Sequence, residues 1–186
     1  MVQSPYFAGH FLLAMPGIGD ERFDHSVIAM CAHDDNGAMG VAVGEELEGV
    51  GLRDLLANFD IDAGDLADRP VLRGGPVEPQ RGFVLHSLDW GGQNMIDVNG
   101  LWGLSGSLDI LRAIAEGRGP SRYLVALGYA GWGVGQLEGE MARHGWFTTP
   151  ADPDLLFDGR PASKWTGAFA LAGIDTTMLV AGAGSA

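Results

Sequence analysis

Residues 124–141 read LVALGYAGWGVGQLEGEM, and this stretch decides the fold. The apolar run from Tyr123 to Leu127 has no polar face, so it predicts a buried strand at the centre of a sheet. The glycines that follow predict a sharp turn, and Val134, Leu137 and Met141 then recur at the spacing of a helix. We therefore expect a strand, a glycine-rich turn and a helix in direct succession.

A strand that enters a helix through glycines can bind an anion on free backbone N–H groups. The two known nucleotide motifs are absent, however. After Gly131-x-Gly133 the dinucleotide fingerprint requires a glycine where Gln136 stands, and a P-loop requires a lysine and a hydroxyl residue directly after Gly133. The pattern favours packing of Trp132 as the role of the turn and leaves capture of a small ligand open.

Length and composition indicate one folded domain. The chain has 186 residues, of which 46% are hydrophobic and 30 are glycine. A chain of this size and apolar content can bury a substantial core. The high glycine content predicts many turns and close backbone contacts, and we expect a single domain over residues 1–186.

Charge argues against nucleic-acid binding. Eleven basic residues against 24 acidic ones give a net charge of −13, and Lys164 is the one lysine. Such a chain repels phosphate backbones and anionic membrane surfaces, and no basic run offers an exception.

Localisation is predicted from what the chain lacks. The single Cys31 lies in an apolar run, which predicts a buried thiol and no internal disulfide. The segment from Phe7 to Met15 lacks the basic region of a signal peptide, and no apolar run reaches the ~18 residues that span a bilayer. We expect a soluble cytoplasmic protein without a membrane segment.

Hairpins and helices alternate along the chain. The Asp34-Asp35-Asn36-Gly37 turn predicts an antiparallel hairpin between two apolar runs. The other predicted strands are residues 10–15, 27–33, 38–43, 71–73, 82–88, 95–98, 101–104, 146–147 and 174–180. The predicted helices are residues 51–59, 107–115 and 164–172, with one helical turn at 19–24. Residues 60–68 and 150–159 are predicted loops, and residues 181–186 a loose tail. This mixture predicts the α+β class.

Histidines and serines are the candidate chemical groups. None of the five histidines has the spacing of a metal site, and His33 with Asp34 and Asp35 is explained by the turn they form. His86 lies in a predicted strand, and Ser105 or Ser107 can lie near it in space. A hydrolase or transferase that uses His86 is therefore an open alternative, although the G-x-S-x-G motif is absent.

Several short motifs together resemble one protein family. They are Leu13-Ala14-Met15-Pro16, Ser26-Val27-Ile28, Gly37-Ala38-Met39-Gly40, Gly74-Gly75-Pro76-Val77, Gly82-Phe83-Val84-Leu85-His86, the stretch from Ala126 to Glu138, Asp154-Leu155-Leu156-Phe157 and Trp165. Their order resembles that of the YqgE/AlgH family over nearly the whole chain.

The resemblance implies a bent, partly barrel-like mixed sheet flanked by short helices. It also implies a label of transcriptional regulator, since one member is linked to alginate synthesis, but it supplies no agreed catalytic or ligand-binding residues. This chain departs from the family where an Asn-Arg-Pro-Leu element is usual and Gly44-Glu45-Glu46-Leu47 stands instead. Loss of that arginine weakens an anion site there and weakens direct DNA binding.

The function that we expect is a non-enzymatic, cytoplasmic regulatory or partner-binding domain, with an unidentified protein or small molecule as its partner. Tryptophans beside glycines can line a groove for such a partner. We predict no cofactor, no metal and no catalytic set, and leave the oligomeric state open. The residues predicted to form the groove are Arg81, His86, Gly131, Trp132, Gly133, Gly135 and Gln136.

Overall fold

The computed structural model describes residues 6–16, 25–92, 94–143 and 145–183. Ten strands are found in this part of the chain: β1 (His10–Ala14), β2 (Val27–Asp34), β3 (Gly37–Ala42), β4 (Glu46–Gly51), β5 (Pro70–Arg73), β6 (Val77–His86), β7 (Ile96–Val98), β8 (Trp102–Ser105), β9 (Tyr123–Trp132) and β10 (Trp146–Pro150). The helices are α1 (Leu52–Asn58), α2 (Leu108–Ala115), α3 (Gln136–Ala142), α4 (Pro153–Asp158), α5 (Lys164–Leu171) and α6 (Thr176–Ala183).

Strand β9 is the centre of the sheet, as its apolar sequence predicted. The main path of neighbouring strands runs β10-β1-β2-β3-β9-β6-β8-β7, and β5 joins β9 from the side with β4 beyond it. Strands β3 and β6 pair antiparallel with β9, whereas β5 pairs with it in parallel. A mixed sheet with short helices on its faces is an α+β fold, so the predicted class is confirmed.

The predicted succession of strand, glycine-rich turn and helix is present, with α3 as the helix, but the predicted start of the turn is wrong because β9 continues to Trp132. Gly128 has φ +79°, and a Cβ atom at this position would collide with the carbonyl oxygen of Gly75. The glycine therefore lets two backbones approach inside the sheet. The real turn lies after Trp132, and Val134 is 75% exposed rather than on the buried helical face, whereas Leu137 is fully buried.

The sheet curls into a half-barrel with a core on each face. Its concave side holds apolar side chains such as Phe83, Leu85 and Trp102, covered by Phe169 of α5. Helices α1 and α2 cover one part of the convex side, and α3 covers another. The side chain of Asn99 donates a hydrogen bond of 2.8 Å to the carbonyl of Ala8, which links the β7–β8 turn to the segment before β1.

The hairpin and the three predicted helices at 51–59, 107–115 and 164–172 are confirmed, with ends within two residues. Two other predictions are wrong. Residues 150–159 contain α4, which Asp152 caps by accepting a hydrogen bond from the Asp154 N–H. Residues 174–180 belong largely to α6, because a short apolar run does not distinguish strand from helix. Strand β4 was not predicted, and the expected turn at 19–24 lies outside the described residues.

Candidate functional site

A groove opens at the mouth of the half-barrel, between the β2–β3 hairpin and strands β6, β7 and β9. Its volume is about 620 Å³, within the range of small-molecule sites. The wall is mainly apolar, and its larger apolar side chains are Met39, Val77, Phe83, Ile96, Leu104, Tyr129 and Trp132. We call this cavity the Arg81 groove, because Arg81 is the cation that lines it.

Arg81 has spare hydrogen-bonding capacity. Its guanidinium lies 5.0 Å from the centre of the Phe83 ring and 3.5 Å from a Glu78 carboxylate oxygen. The second distance is too long for a strong hydrogen bond, and both side chains are about half exposed. A guanidinium held over an aromatic ring with free donors suits a planar carboxylate.

His33 also lines the groove, and it is paired with the carboxylate of Glu138. The Phe7 N–H donates to His33 Nδ1 at 2.9 Å, so the hydrogen of the ring is on Nε2, which donates to Glu138 Oε1 at 2.6 Å. A backbone hydrogen bond within Glu138 and the hydrogen bond from His33 lower the pKa of this carboxyl group. The groove wall thus carries a cation at Arg81 and a carboxylate at Asp34.

The predicted site residues separate in space. Arg81, Gly131 and Trp132 line the Arg81 groove. Gly133, Gly135 and Gln136 form the turn beyond it, where the Gln136 side chain accepts a hydrogen bond of 3.0 Å from the Gly133 N–H. This bond occupies one of the amides that an anion would need.

His86 lies outside the groove, on the convex face of β6, and is fully buried. Its Nδ1 is 2.8 Å from the carbonyl oxygen of Ser87, and its Nε2 is 2.9 Å from the hydroxyl of Ser105 on the neighbouring strand β8. Burial lowers the pKa of His86, although the Ser87 hydrogen bond and the charge of Asp89 act in the opposite direction.

A second, smaller pocket of about 170 Å³ lies beside Ser105. Phe59, Leu111 and Val125 give it an apolar wall, and Ser107 lines it where α2 begins. Arg81 lines both this pocket and the Arg81 groove. We call this cavity the Ser105 pocket.

Cys31 is buried, as the sequence predicted, and burial raises the pKa of its thiol to about 12. A thiol that stays protonated is a poor nucleophile. Within the described ranges, no group of three or more His, Cys, Asp or Glu side chains is placed to hold a metal ion. In the same ranges, no helix is both long and apolar enough to cross a membrane.

Most of the groove wall was missed in the sequence. Val77, Phe83, Ile96 and Tyr129 come from three strands that are far apart along the chain, and each looks like an ordinary strand residue. The sequence carried a weak signal for Ile96, an apolar residue beside the polar Asp97 in a short strand. In the structure its side chain is 47% exposed. The pairing of His33 with Glu138 joins residues 105 positions apart, and no local pattern predicts it.

The fold and its cavities define a class: a single α+β domain whose curled mixed sheet carries a groove at its mouth. Comparison with known proteins gives the family. The AlgH-like family model, DUF179, matches residues 11–177, and the chain belongs to this family. The predicted resemblance is confirmed.

Relatives and solved structures agree with this assignment. A UPF0301 protein of Novosphingobium aromaticivorans is 59% identical over 186 residues, with all of both chains covered. One of Sphingopyxis alaskensis is 57% identical over 181 residues, covering 97% of each chain. The solution structure of the AlgH protein from Pseudomonas aeruginosa is 39% identical, with a TM-score of 0.79 and full coverage of both chains. A crystal structure from Corynebacterium diphtheriae, 20% identical with a TM-score of 0.70, covers 92% of this chain and 90% of its own and shares the fold.

Proposed function

We propose that this protein is a binding domain of the cytoplasm that recognises an amphipathic carboxylate in the Arg81 groove. The observation that carries the proposal is the half-exposed guanidinium of Arg81 beside an apolar groove of about 620 Å³. An apolar body can bury its surface against walls such as Tyr129 and Trp132, while one carboxylate accepts hydrogen bonds from Arg81. A regulatory role would then consist of reporting this ligand.

Charge complementarity favours such a ligand over nucleic acid. The chain carries a net charge of −13, so a polyanion is repelled by most of the surface. A single carboxylate can pair with Arg81, and the carboxylate of Asp34, which also lines the groove, disfavours a second negative charge on the ligand. The ligand that fits is therefore a monoanion with an apolar body.

The test is calorimetric titration with 4-phenylbutyrate and its neutral amide, 4-phenylbutyramide. We expect the carboxylate to bind about tenfold more tightly, because a charge-assisted hydrogen bond contributes about 1.5 kcal/mol or more. Arg81→Met should remove this preference. Arg112→Met is the matched control, because Arg112 has the same exposure, 53% against 54%, and a similar pair with a carboxylate three residues earlier.

Two further readouts decide between outcomes. In NMR spectra, binding should shift the indole signal of Trp132, which lines the groove, and leave that of Trp165, which does not line it, unchanged. Equal loss in the Arg81 and Arg112 variants, or no saturation by either probe, would contradict the proposal. Salt-sensitive binding of a DNA duplex at low salt would favour direct transcriptional control instead.

A further inference from the structure

The buried pair of His86 and Ser105 has the geometry of an activated hydroxyl group. Strands β6 and β8 are antiparallel neighbours, with Val84 opposite Ser105 and His86 opposite Gly103, so His86 and Ser105 share one face of the sheet. A Cβ atom on Gly103 would lie 2.5 Å from the His86 ring, which means that glycine makes room for the imidazole. The ring then reaches the Ser105 hydroxyl at 2.9 Å.

The hydrogen bonds fix which nitrogen carries the hydrogen. A carbonyl oxygen can only accept, so the 2.8 Å contact with Ser87 assigns the hydrogen to Nδ1 of His86. In the neutral ring, Nε2 is therefore an acceptor, and the Ser105 hydroxyl donates to it. Burial favours the neutral form of the ring and lowers its pKa. A hydroxyl bonded to a neutral imidazole that is itself oriented by a second hydrogen bond is the arrangement of a serine nucleophile and its base.

Hydrogen bonds from Ser87 to Arg122 and Asp89 hold the Ser87 carbonyl in place. The Ser87 N–H donates to the carbonyl of Arg122 at 2.9 Å, and the Ser87 hydroxyl donates to Asp89 at 2.6 Å. Asp89 also accepts from the Ser121 N–H. These bonds fix the acceptor that orients His86.

The Ser105 pocket supplies space and a positive field beside this pair. Helix α2 begins at its edge, with Ser107 as the N-cap residue that makes no side-chain capping bond. The first N–H groups of a helix carry partial positive charge and can stabilise a developing oxyanion. Arg81 Nη2 comes within 3.8 Å of where a Cβ atom of Gly106 would lie. A volume of about 170 Å³ accommodates a short acyl group.

We propose that Ser105 and His86 form a nucleophile–base pair that hydrolyses esters of short-chain carboxylic acids. Ser105 Oγ bonds to the ester carbonyl carbon while its proton moves to His86 Nε2. The bond from this carbon to the alkoxy oxygen then breaks, and the leaving alcohol takes the proton from His86. Water, deprotonated by His86, attacks the acyl-serine, which releases the carboxylic acid and returns the proton to Ser105. This activity does not depend on whether the Arg81 groove binds a carboxylate.

The experiment follows p-nitrophenyl acetate hydrolysis together with mass mapping of acetylated residues. We expect turnover above the buffer rate and an acetyl group on Ser105. Ser105→Ala should reduce the rate at least tenfold, whereas Ser163→Ala, a change of an exposed serine outside both cavities, should keep at least half of it. Ser105→Cys changes one atom and should accumulate a thioester at position 105, which keeps the test valid if the alanine variant folds poorly.

Three outcomes would overturn the proposal. They are an unchanged rate in folded Ser105→Ala, acetylation that maps only to Lys164 or the amino terminus, and loss of activity in Ser163→Ala as large as in Ser105→Ala. Titration of Ser105→Ala with 4-phenylbutyrate separates the two sites, because binding in the Arg81 groove should be unchanged. Failure of one site therefore leaves the result for the other intact.

Discussion

Lys164 is an unusual residue for the interior of a protein. It is the first residue of α5 and is 1% exposed, and its Nζ atom has no hydrogen-bond partner among the described residues. Burial lowers the pKa of this ammonium group to about 8. A cation at a helix N-terminus is also opposed by the helix dipole. At pH 7 the charged side chain therefore destabilises the fold.

Replacing Lys164 by methionine should stabilise the protein at pH 7 by about 2 kcal/mol, because the variant buries no charge. The sign follows from the pKa values: the folded value is about 8 and the ordinary value 10.5. The unfolded state therefore binds more protons between these pH values, and wild-type stability rises from pH 8 to 10.5. The advantage of the variant should shrink over the same range.

Urea unfolding at pH 7 and at about pH 10 measures this effect. Arg112→Met is the control, because it also replaces a cation with methionine but at an exposed position, and it should show the same small change at both pH values. A Lys164→Met protein that is less stable than wild type at pH 7 would show that the ammonium group makes a favourable interaction.

Single residues of the site were predictable only where the chain nearby carries the signal. The burial of Cys31 follows from its apolar neighbours in β2. Ser105 was named together with Ser107 as a serine that can lie near His86, and the strand register that decides between them was not predictable from the sequence. The partner of His33 could not be predicted, because Glu138 lies in α3, which follows the central strand β9 and is 105 positions from His33 in the sequence.

The segment from β9 to α3 contains glycines with different structural roles. Gly128 lies where the strand passes close to Gly75 with a positive φ, so any side chain collides with backbone. Gly139 lies in α3, and a Cβ atom there would meet no heavy atom within 4 Å. The same residue type is thus required at one position and merely tolerated at the other.

Alanine substitutions at these two glycines should have opposite effects. Gly128→Ala should destabilise the protein by roughly 3 kcal/mol or more, because the strained backbone and the collision both act in the folded state. Gly139→Ala should stabilise it by up to about 1 kcal/mol, because alanine favours the helix. Thermal and urea unfolding of both variants measures the contrast. Similar effects at the two positions would mean that the backbone near Gly128 shifts to admit a side chain.

Elements were predicted well where periodicity was long and poorly where it was short. Helix α2 has a regular apolar face and a serine before its first residue, and both were visible in the sequence. Helix α6 follows Asp175, whose side chain accepts hydrogen bonds from Thr177. That capping signal was outweighed by an apolar run that fits a strand equally well.

The whole molecule carries excess negative charge. The net charge is −13, and ion pairs such as Arg122 with Asp158 at 2.8 Å offset only part of the repulsion. Salt screens repulsion between exposed charges, since the Debye length falls from about 30 Å at 0.01 M to about 10 Å at 0.1 M. We therefore expect the urea midpoint to rise over this range with an unchanged slope.

Glu46 and Glu48 test the origin of this salt effect. Both are exposed on β4, and replacing them with glutamine removes two negative charges without changing shape. The double variant should show a smaller rise of the urea midpoint with salt than the wild type. A midpoint that falls with salt would mean that local ion pairs contribute more than net repulsion.

The sequence by itself determined the class of fold, the central strand, the hairpin, three helices and the family, because these depend on local periodicity, turn residues and short motifs. Only the tertiary structure decided where β9 ends, because its length depends on Gly75 and its other partners across the sheet. The curl of the sheet likewise brings Arg81, Trp132 and His33 around one groove and sets Ser105 against His86 on the other face. Distances between residues far apart in sequence depend on strand register and curvature, and no single segment of the chain encodes them.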